Sequence, residues 1–269
     1  MNFSVYNTFP IGQLYGATSP KAHSFTSVPK YADNLSVNKE LDKYLDKRVI
    51  AGMIEDNPVI YTILKSQNLK PVINVENFKN TTYKHSIDTK NKAIGIYNYL
   101  PADLKAEANL NYIQKGALLH DIGKVLIPEK ILNKQGKLTP EEAEIMHLHS
   151  KLSNALLATQ NLEPEVLNIV KYHHQNKKGT GYPEIKNTLN GFDINTEIVA
   201  LADKYSALTE KRAYKAPLSP DEALNIIKKD VEVIKNGEVE GSINPRIYNA
   251  LVGYVNSLNK QTQTKVIAA

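Results

Sequence analysis

Cysteine and tryptophan are absent from all 269 residues. Without thiols there is no disulfide framework and no thiolate metal site, which fits a reducing compartment, and the cytoplasm is the expected location. Arginine is nearly missing too. Arg48, Arg212 and Arg246 are the whole supply, so lysine carries the formal net charge of +5 and the pI near 9.0. Bidentate reading of base edges relies on arginine, and the expected partners therefore include no DNA. Most of the lysines read as a solvated surface. No apolar run approaches the length of a membrane span, and the start at Met1-Asn2-Phe3 lacks the basic and apolar segments of a signal peptide, so no membrane partner is expected.

A chain of 30.0 kDa holds one large domain with a proper core and at most a small extension. Residues 1–37 are rich in Ser, Thr, Pro, Gly and Asn without apolar period, and read as a flexible tail. Over 38–75 the pattern changes: Leu41, Tyr44, Leu45, Val49 and Met53, then Ile60, Ile63 and Leu64, predict a short helical extension. The main domain is expected over 76–256, followed by a flexible C-terminal tail over 257–269. Thr139-Pro140-Glu141-Glu142 and Ser219-Pro220-Asp221-Glu222 each combine an N-cap hydroxyl, a proline at the first helical position and a glutamate three residues after the cap. A third helix is expected from Pro164 to the pair His173-His174. No alternating strands stand out, and the fold class is all-α, a helical bundle with its site between facing helices.

Five of the seven histidines and two aspartates form one ordered series: His85, His120, Asp121, His149, His173, His174 and Asp203. Imidazole and carboxylate donors without thiolate suit iron, manganese or zinc, and an aspartate can bridge two ions, so the set reads as the ligands of a two-metal site. Periodicity separates two of the histidines. Ile145, Leu148, His149, Leu152 and Leu156 share one apolar face, whereas His147 falls on the opposite side and reads as solvated. Asp203 follows the apolar run Ile198-Val199-Ala200-Leu201-Ala202, where an unpartnered carboxylate would cost several kcal/mol, so it needs a cation, either a metal or a lysine such as Lys204. Lys124, Lys177, Lys178, Lys204, Arg212 and Lys215 lie in or beside these blocks and point to an anionic substrate such as a phosphodiester.

Several blocks between Thr81 and Leu251 resemble the HD-GYP family of HD-domain phosphohydrolases. They are His85-Ser86, Leu118-Leu119-His120-Asp121-Ile122-Gly123-Lys124, His149, His173-His174 with Gly179-Thr180-Gly181-Tyr182-Pro183, and Ala202-Asp203 with Ala207-Leu208-Thr209. The resemblance implies an HD-domain helical bundle and a phosphodiesterase acting on cyclic di-GMP in bacterial signalling, giving chiefly linear pGpG and then GMP, with a mixed cyclic GMP-AMP as a further substrate. It implies two divalent ions, iron or manganese. His85, His120, Asp121 and Asp203 would hold one, and Asp121 would bridge to a second held by His149, His173 and His174. Asp121 would orient the attacking hydroxide. Lys124 would act at the phosphate or the leaving oxygen, and Lys124, Gly181, Tyr182, Arg212 and Lys215 would contact substrate. A GGDEF-type protein and a second copy of the chain are the implied protein partners.

The chain also departs from this pattern. Gln175 and Lys178 replace a usual glutamate and aspartate, Ser206 a frequent aspartate and Ala213 a usual proline, while Thr81 stands where members with a third metal carry glutamate. Two ions rather than three are expected. The departures also motivate an alternative, a catalytically weak module that binds cyclic dinucleotide or a GGDEF-type partner. A different HD-type phosphohydrolase, or a di-iron oxygenase, is a further alternative that the Gly181-Tyr182-Pro183 block disfavours.

Overall fold

The computed structural model describes residues 38–185, 192–211, 216–235 and 238–267. The tail expected over 1–37 lies outside the described residues. From the N-terminal side run α1 (Lys39–Asp42), α2 (Lys47–Asp56), α3 (Val59–Lys65), α4 (Val75–Thr81), α5 (Tyr83–Asn98), α6 (Ala102–Glu107) and α7 (Leu110–Leu119). A tight 3-10 turn over Ile122–Leu126 leads to α8 (Glu129–Leu132), α9 (Pro140–Leu157), α10 (Pro164–Tyr172), α11 (Ile194–Thr209) and α12 (Pro220–Lys228). After the hairpin of β1 (Val233–Lys235) and β2 (Glu238–Glu240) comes α13 (Pro245–Ile267).

The fold is all-α, as the sequence indicates, with two corrections at the edges. β1 and β2 pair antiparallel with Ile234 opposite Val239; strands of three residues are too short to leave a readable alternation. The boundary expected at 256 falls inside α13, which continues to Ile267. The polar stretch Asn259-Lys260-Gln261-Thr262 hides this continuation, because it has no apolar stripe although its residues are compatible with helix.

Helix starts follow the expected chemistry. Thr139 caps α9 by accepting from the Glu142 amide at 3.3 Å while Glu142 Oε2 accepts from the Thr139 amide at 2.8 Å, and Ser219 and Glu222 repeat the arrangement at α12. Each box satisfies two amides that lack partners within the helix.

Two apolar clusters hold the helices together. The first joins Leu41, Ile50, Met53, Ile60 and Leu64 of the extension to Leu118, Leu119, Val125, Leu152 and Leu156. The helical extension is therefore part of the core beneath α9. The second cluster gathers Ile96 of α5, Ile113 of α7, Ile169 of α10, Ile198 and Val199 of α11, Ile227 of α12 and Leu251 of α13. α7 and α10 contribute to both clusters, and their C-terminal ends carry His120-Asp121 and His173-His174. Close packing at this seam needs Gly123, since a Cβ there would lie 2.2 Å from the His149 carbonyl oxygen and 2.5 Å from the Ser153 nitrogen.

Candidate metal centre

Five elements converge on one buried point. His85 comes from the first turn of α5, His120 and Asp121 from the end of α7, His149 from the middle of α9, His173 and His174 from the end of α10, and Asp203 from α11. All are buried except His174, which is partly exposed.

The Asp121 carboxylate divides its two oxygens between two groups of imidazoles. Oδ2 lies 3.2 Å from His120 Nε2 and 3.8 Å from His85 Nε2, whereas Oδ1 lies 3.3 Å from His149 Nε2. Asp203 spans the same space, with Oδ1 2.8 Å from His85 Nε2 and 3.8 Å from His120 Nε2, and Oδ2 3.8 Å from His174 Nδ1. His149 Nε2 and His173 Nε2 stand 3.3 Å apart. Donor atoms of Asp121, His149, His173 and His174 all lie within 4.8 Å of one another, as do those of His85, His120 and Asp121, and those of His120, His173 and Asp203.

Tautomers follow from what holds the other ring nitrogen. Nδ1 of His120 faces the Ala117 carbonyl at 2.7 Å, Nδ1 of His149 the Met146 carbonyl at 2.6 Å, and Nδ1 of His173 the Val170 carbonyl at 2.8 Å. A carbonyl only accepts, so each Nδ1 carries the hydrogen and each Nε2 presents its lone pair inward. His120 Nε2 and Asp121 Oδ1 are buried without a hydrogen-bond partner of suitable geometry. Inward lone pairs and an orphaned carboxylate oxygen fit cations, and this donor set of imidazole and carboxylate fits divalent ions of intermediate softness.

Electrostatics agree with that fit. Burial alone would raise Asp121, but the imidazoles of His120 and His149 and the Lys124 ammonium around it hold it well below the usual carboxylate range. Burial likewise opposes ionisation of Asp203, and the hydrogen bond and charge of His85, with the imidazoles of His120 and His174 beside it, hold it well below that range. Burial drives His149 and His173 well below the ordinary imidazole value and His174 down to about 4, so these rings are neutral and available as donors at neutral pH. His85 goes the other way: burial pushes it down, but hydrogen bonds to Asp203 and Glu210 and the charges of Asp203 and Asp121 raise it to about 9. Positive charge is favoured where its Nε2 meets the two carboxylates.

Around this cluster, Lys124 Nζ lies 2.6 Å from Asp121 Oδ2 with its side chain 18% exposed. Lys204 pairs with Asp230, so the lysine considered from sequence as the Asp203 partner points elsewhere. Tyr182 lies at 4.6 Å between ring centroids from His174 and stacks on His147 at 3.8 Å with 18° between the planes. His147 is therefore not the solvated residue that helix periodicity indicates: the loop carrying Tyr182 folds over the back of α9 and half-buries it. Gly181 is required by close approach, since a Cβ there would lie 2.1 Å from the His174 carbonyl oxygen. Gln175 braces the same loop, donating from Nε2 to the Pro183 carbonyl at 3.0 Å and accepting at Oε1 from the Gly181 amide at 2.6 Å and the Asn176 amide at 2.9 Å. Arg212, Tyr214 and Lys215 lie outside the described residues.

Two side chains near the cluster escape a motif-based reading. Glu210 Oε2 lies 3.1 Å from His85 Nδ1, and Asp88 Oδ2 accepts from Ser206 Oγ at 2.6 Å. Helical spacing could have found both, since Ser206 and Glu210 follow Asp203 at i+3 and i+7, and Asp88 follows His85 at i+3.

The described residues thus define an all-α protein with a histidine–aspartate cluster, built at the meeting of five helices, that can hold metal. The HD domain model matches residues 75–235. The chain belongs to the HD domain family. It is 35% identical over 166 residues to a cyclic di-GMP phosphodiesterase of Vibrio cholerae, covering 56% of this chain and 33% of that protein. It is 40% identical over 126 residues to a cyclic di-GMP phosphodiesterase of Thermotoga maritima, covering 46% of this chain and 34% of that one. A 3'3'-cGAMP-specific phosphodiesterase of Vibrio cholerae is 38% identical over 121 residues, 44% of this chain and 23% of that protein. The matched segments span about a quarter to a third of these curated relatives. Among solved structures, an HDGYP protein from Bdellovibrio bacteriovorus superposes with a TM-score of 0.51 at 15% identity, over 81% of this chain and 68% of that one, a likeness of fold.

Proposed function

We propose that this chain is a metal-dependent phosphodiesterase that hydrolyses cyclic di-GMP, chiefly to the linear dinucleotide pGpG. The observation that carries the reading is the division of the Asp121 oxygens between the His85–His120 side and the His149 side of one buried cluster. The names of the relatives support the substrate, and they support the mixed cyclic GMP-AMP as a second one.

His85, His120, Asp121 and Asp203 would hold one ion, and Asp121, His149, His173 and His174 the other, with iron or manganese suited to this donor set. When bound, two such ions supply Lewis acidity toward a phosphodiester and make a water acidic enough to lose a proton near neutral pH. The chain's own residues then have limited tasks. Asp121 fixes the spacing of the two halves of the cluster. Lys124, partly exposed beside it, reaches for a nonbridging phosphate oxygen or the leaving oxygen. Tyr182, held flat on His147, forms an aromatic wall beside His174 for a base or ribose. Gly181 allows that wall to approach, and Arg212 and Lys215 are assigned to the outer phosphates.

Among the described residues no helix is long and apolar enough to cross a membrane. Cytoplasmic signalling, a GGDEF-type partner and a homodimer belong to this same reading. Gln175, Lys178 and Ser206 motivate the weak-binding alternative; two of them, Gln175 and Ser206, are engaged in hydrogen bonds, and all seven ligand candidates meet in one cluster, which favours the enzyme. Incubation of manganese-loaded protein with cyclic di-GMP should release the linear dinucleotide, detected by chromatography. Binding without release would favour the sensor.

A further inference from the structure

His85 is oriented differently from its neighbours. His120, His149 and His173 each give Nδ1–H to a backbone carbonyl three residues earlier in their own helix, at 2.7, 2.6 and 2.8 Å. His85 turns Nδ1 away from its own helix toward α11, where Glu210 Oε2 stands at 3.1 Å and Ser206 Oγ at 3.4 Å. The serine hydrogen is already committed, because Ser206 Oγ donates to Asp88 Oδ2 at 2.6 Å and that carboxylate is itself paired with Lys92. Ser206 can therefore offer His85 only a neutral, distant lone pair. The charged and nearer acceptor is Glu210, whose side chain is only 16% exposed.

We infer that Glu210 is a positioning residue for the ion held by His85: it takes the Nδ1–H of His85, fixes the ring with its Nε2 turned toward Asp203 and Asp121, and adds negative charge behind the ligand. This rests on the reading of His85 as a metal ligand. It also accounts for the serine at 206, because the carboxylate that serves the ring is supplied from one helical turn further along the same face of α11. A carboxylate behind a ligating imidazole strengthens it as a donor, and its removal typically weakens metal affinity by about 10–100-fold. The effect should be confined to one ion, since His149 and His173 are oriented by their own backbone and His174 lies on the far side of Asp203.

The test is titration of Mn(II) into the whole metal-free chain of 269 residues against a competing chelator, with far-ultraviolet circular dichroism and thermal unfolding of each metal-free variant alongside. Glu210→Ala should weaken one of the two binding steps by about 10–100-fold and leave the other unchanged. Glu210→Gln, which keeps an acceptor but loses the charge, should fall between. Adding Ser206→Asp and Asp88→Asn to Glu210→Ala, so that no second carboxylate faces position 206, should restore the weakened step by returning a carboxylate to the same nitrogen, a rescue that a merely structural role of Glu210 would not give. Both binding steps unchanged in Glu210→Ala would overturn the inference, as would equal weakening of both steps in Glu210→Gln with unchanged unfolding. Absence of any Mn(II) binding by the unmutated protein would instead overturn the metal reading beneath it.

Discussion

Asp121 has the most demanding position of any side chain in the cluster. It is a carboxylate with 1% exposure, facing imidazoles on two sides and a lysine on a third. Such a group is stable only while its counter-charges remain, and removing it strips both halves of the cluster of their shared oxygen donor. Asp121→Ala should therefore lose both ions by elemental analysis and lower turnover below detection. Its circular dichroism should keep most of the helical signal, because the apolar clusters on either side do not depend on it. A second expectation concerns Gln175. Sequence comparison with the family pattern makes glutamate the restoring change, but the amide hydrogen goes to the Pro183 carbonyl, where a carboxylate would set two acceptors face to face. Gln175→Glu should destabilise the protein by about 1–3 kcal/mol, measured by urea unfolding, and weaken cyclic di-GMP binding through the loop that carries Tyr182. Unchanged unfolding would mean that the loop does not depend on this hydrogen bond. The seven ligand candidates were legible because order and chemistry sufficed to single them out. The half-burial of His147 was not, since it depends on a loop some 35 residues away folding over the face of α9 that periodicity assigns to solvent.

At the scale of elements, the helix starts were legible and the irregular connections were not. A capping box is written in four adjacent residues, so α9 and α12 begin where Thr139 and Ser219 indicate. Thr139→Ala should lower stability by about 1 kcal/mol without altering metal content, a difference that urea unfolding with parallel metal analysis resolves. The 3-10 turn after α7 is of another kind. Its tightness comes from contact with α9, where the Gly123 amide donates to Ser153 Oγ at 2.8 Å and the glycine lies against the His149 backbone. No local signal gives that distance. Gly123→Ala must push apart two backbones at the centre of the site, so it should lower stability by about 3 kcal/mol and weaken metal binding through His149. The hairpin β1–β2 and the last turns of α13 escaped the sequence for the complementary reason, being too short or too polar to carry a period.

Across the whole molecule, the extension and the HD domain share one core. Ile60 and Leu64 of α3 are fully buried in the cluster that includes Leu152 and Leu156 of α9, the helix that presents His149. The apolar spacing of the extension was legible, but its docking was not, because a helical period states which face is apolar and not what covers it. Ile60→Ala should cost about 2–5 kcal/mol in global unfolding, although it lies far along the chain from every ligand candidate. A separate transition for the extension would contradict a shared core. The central claim is that the cluster holds two divalent ions and uses them on a cyclic dinucleotide. Its most direct test is product analysis of cyclic di-GMP incubated with anaerobically prepared, iron- or manganese-loaded protein whose metal content has been counted. The account predicts close to two ions per chain and steady release of linear pGpG, while a fully metal-loaded protein that binds cyclic di-GMP and releases no linear product over a long incubation would contradict it.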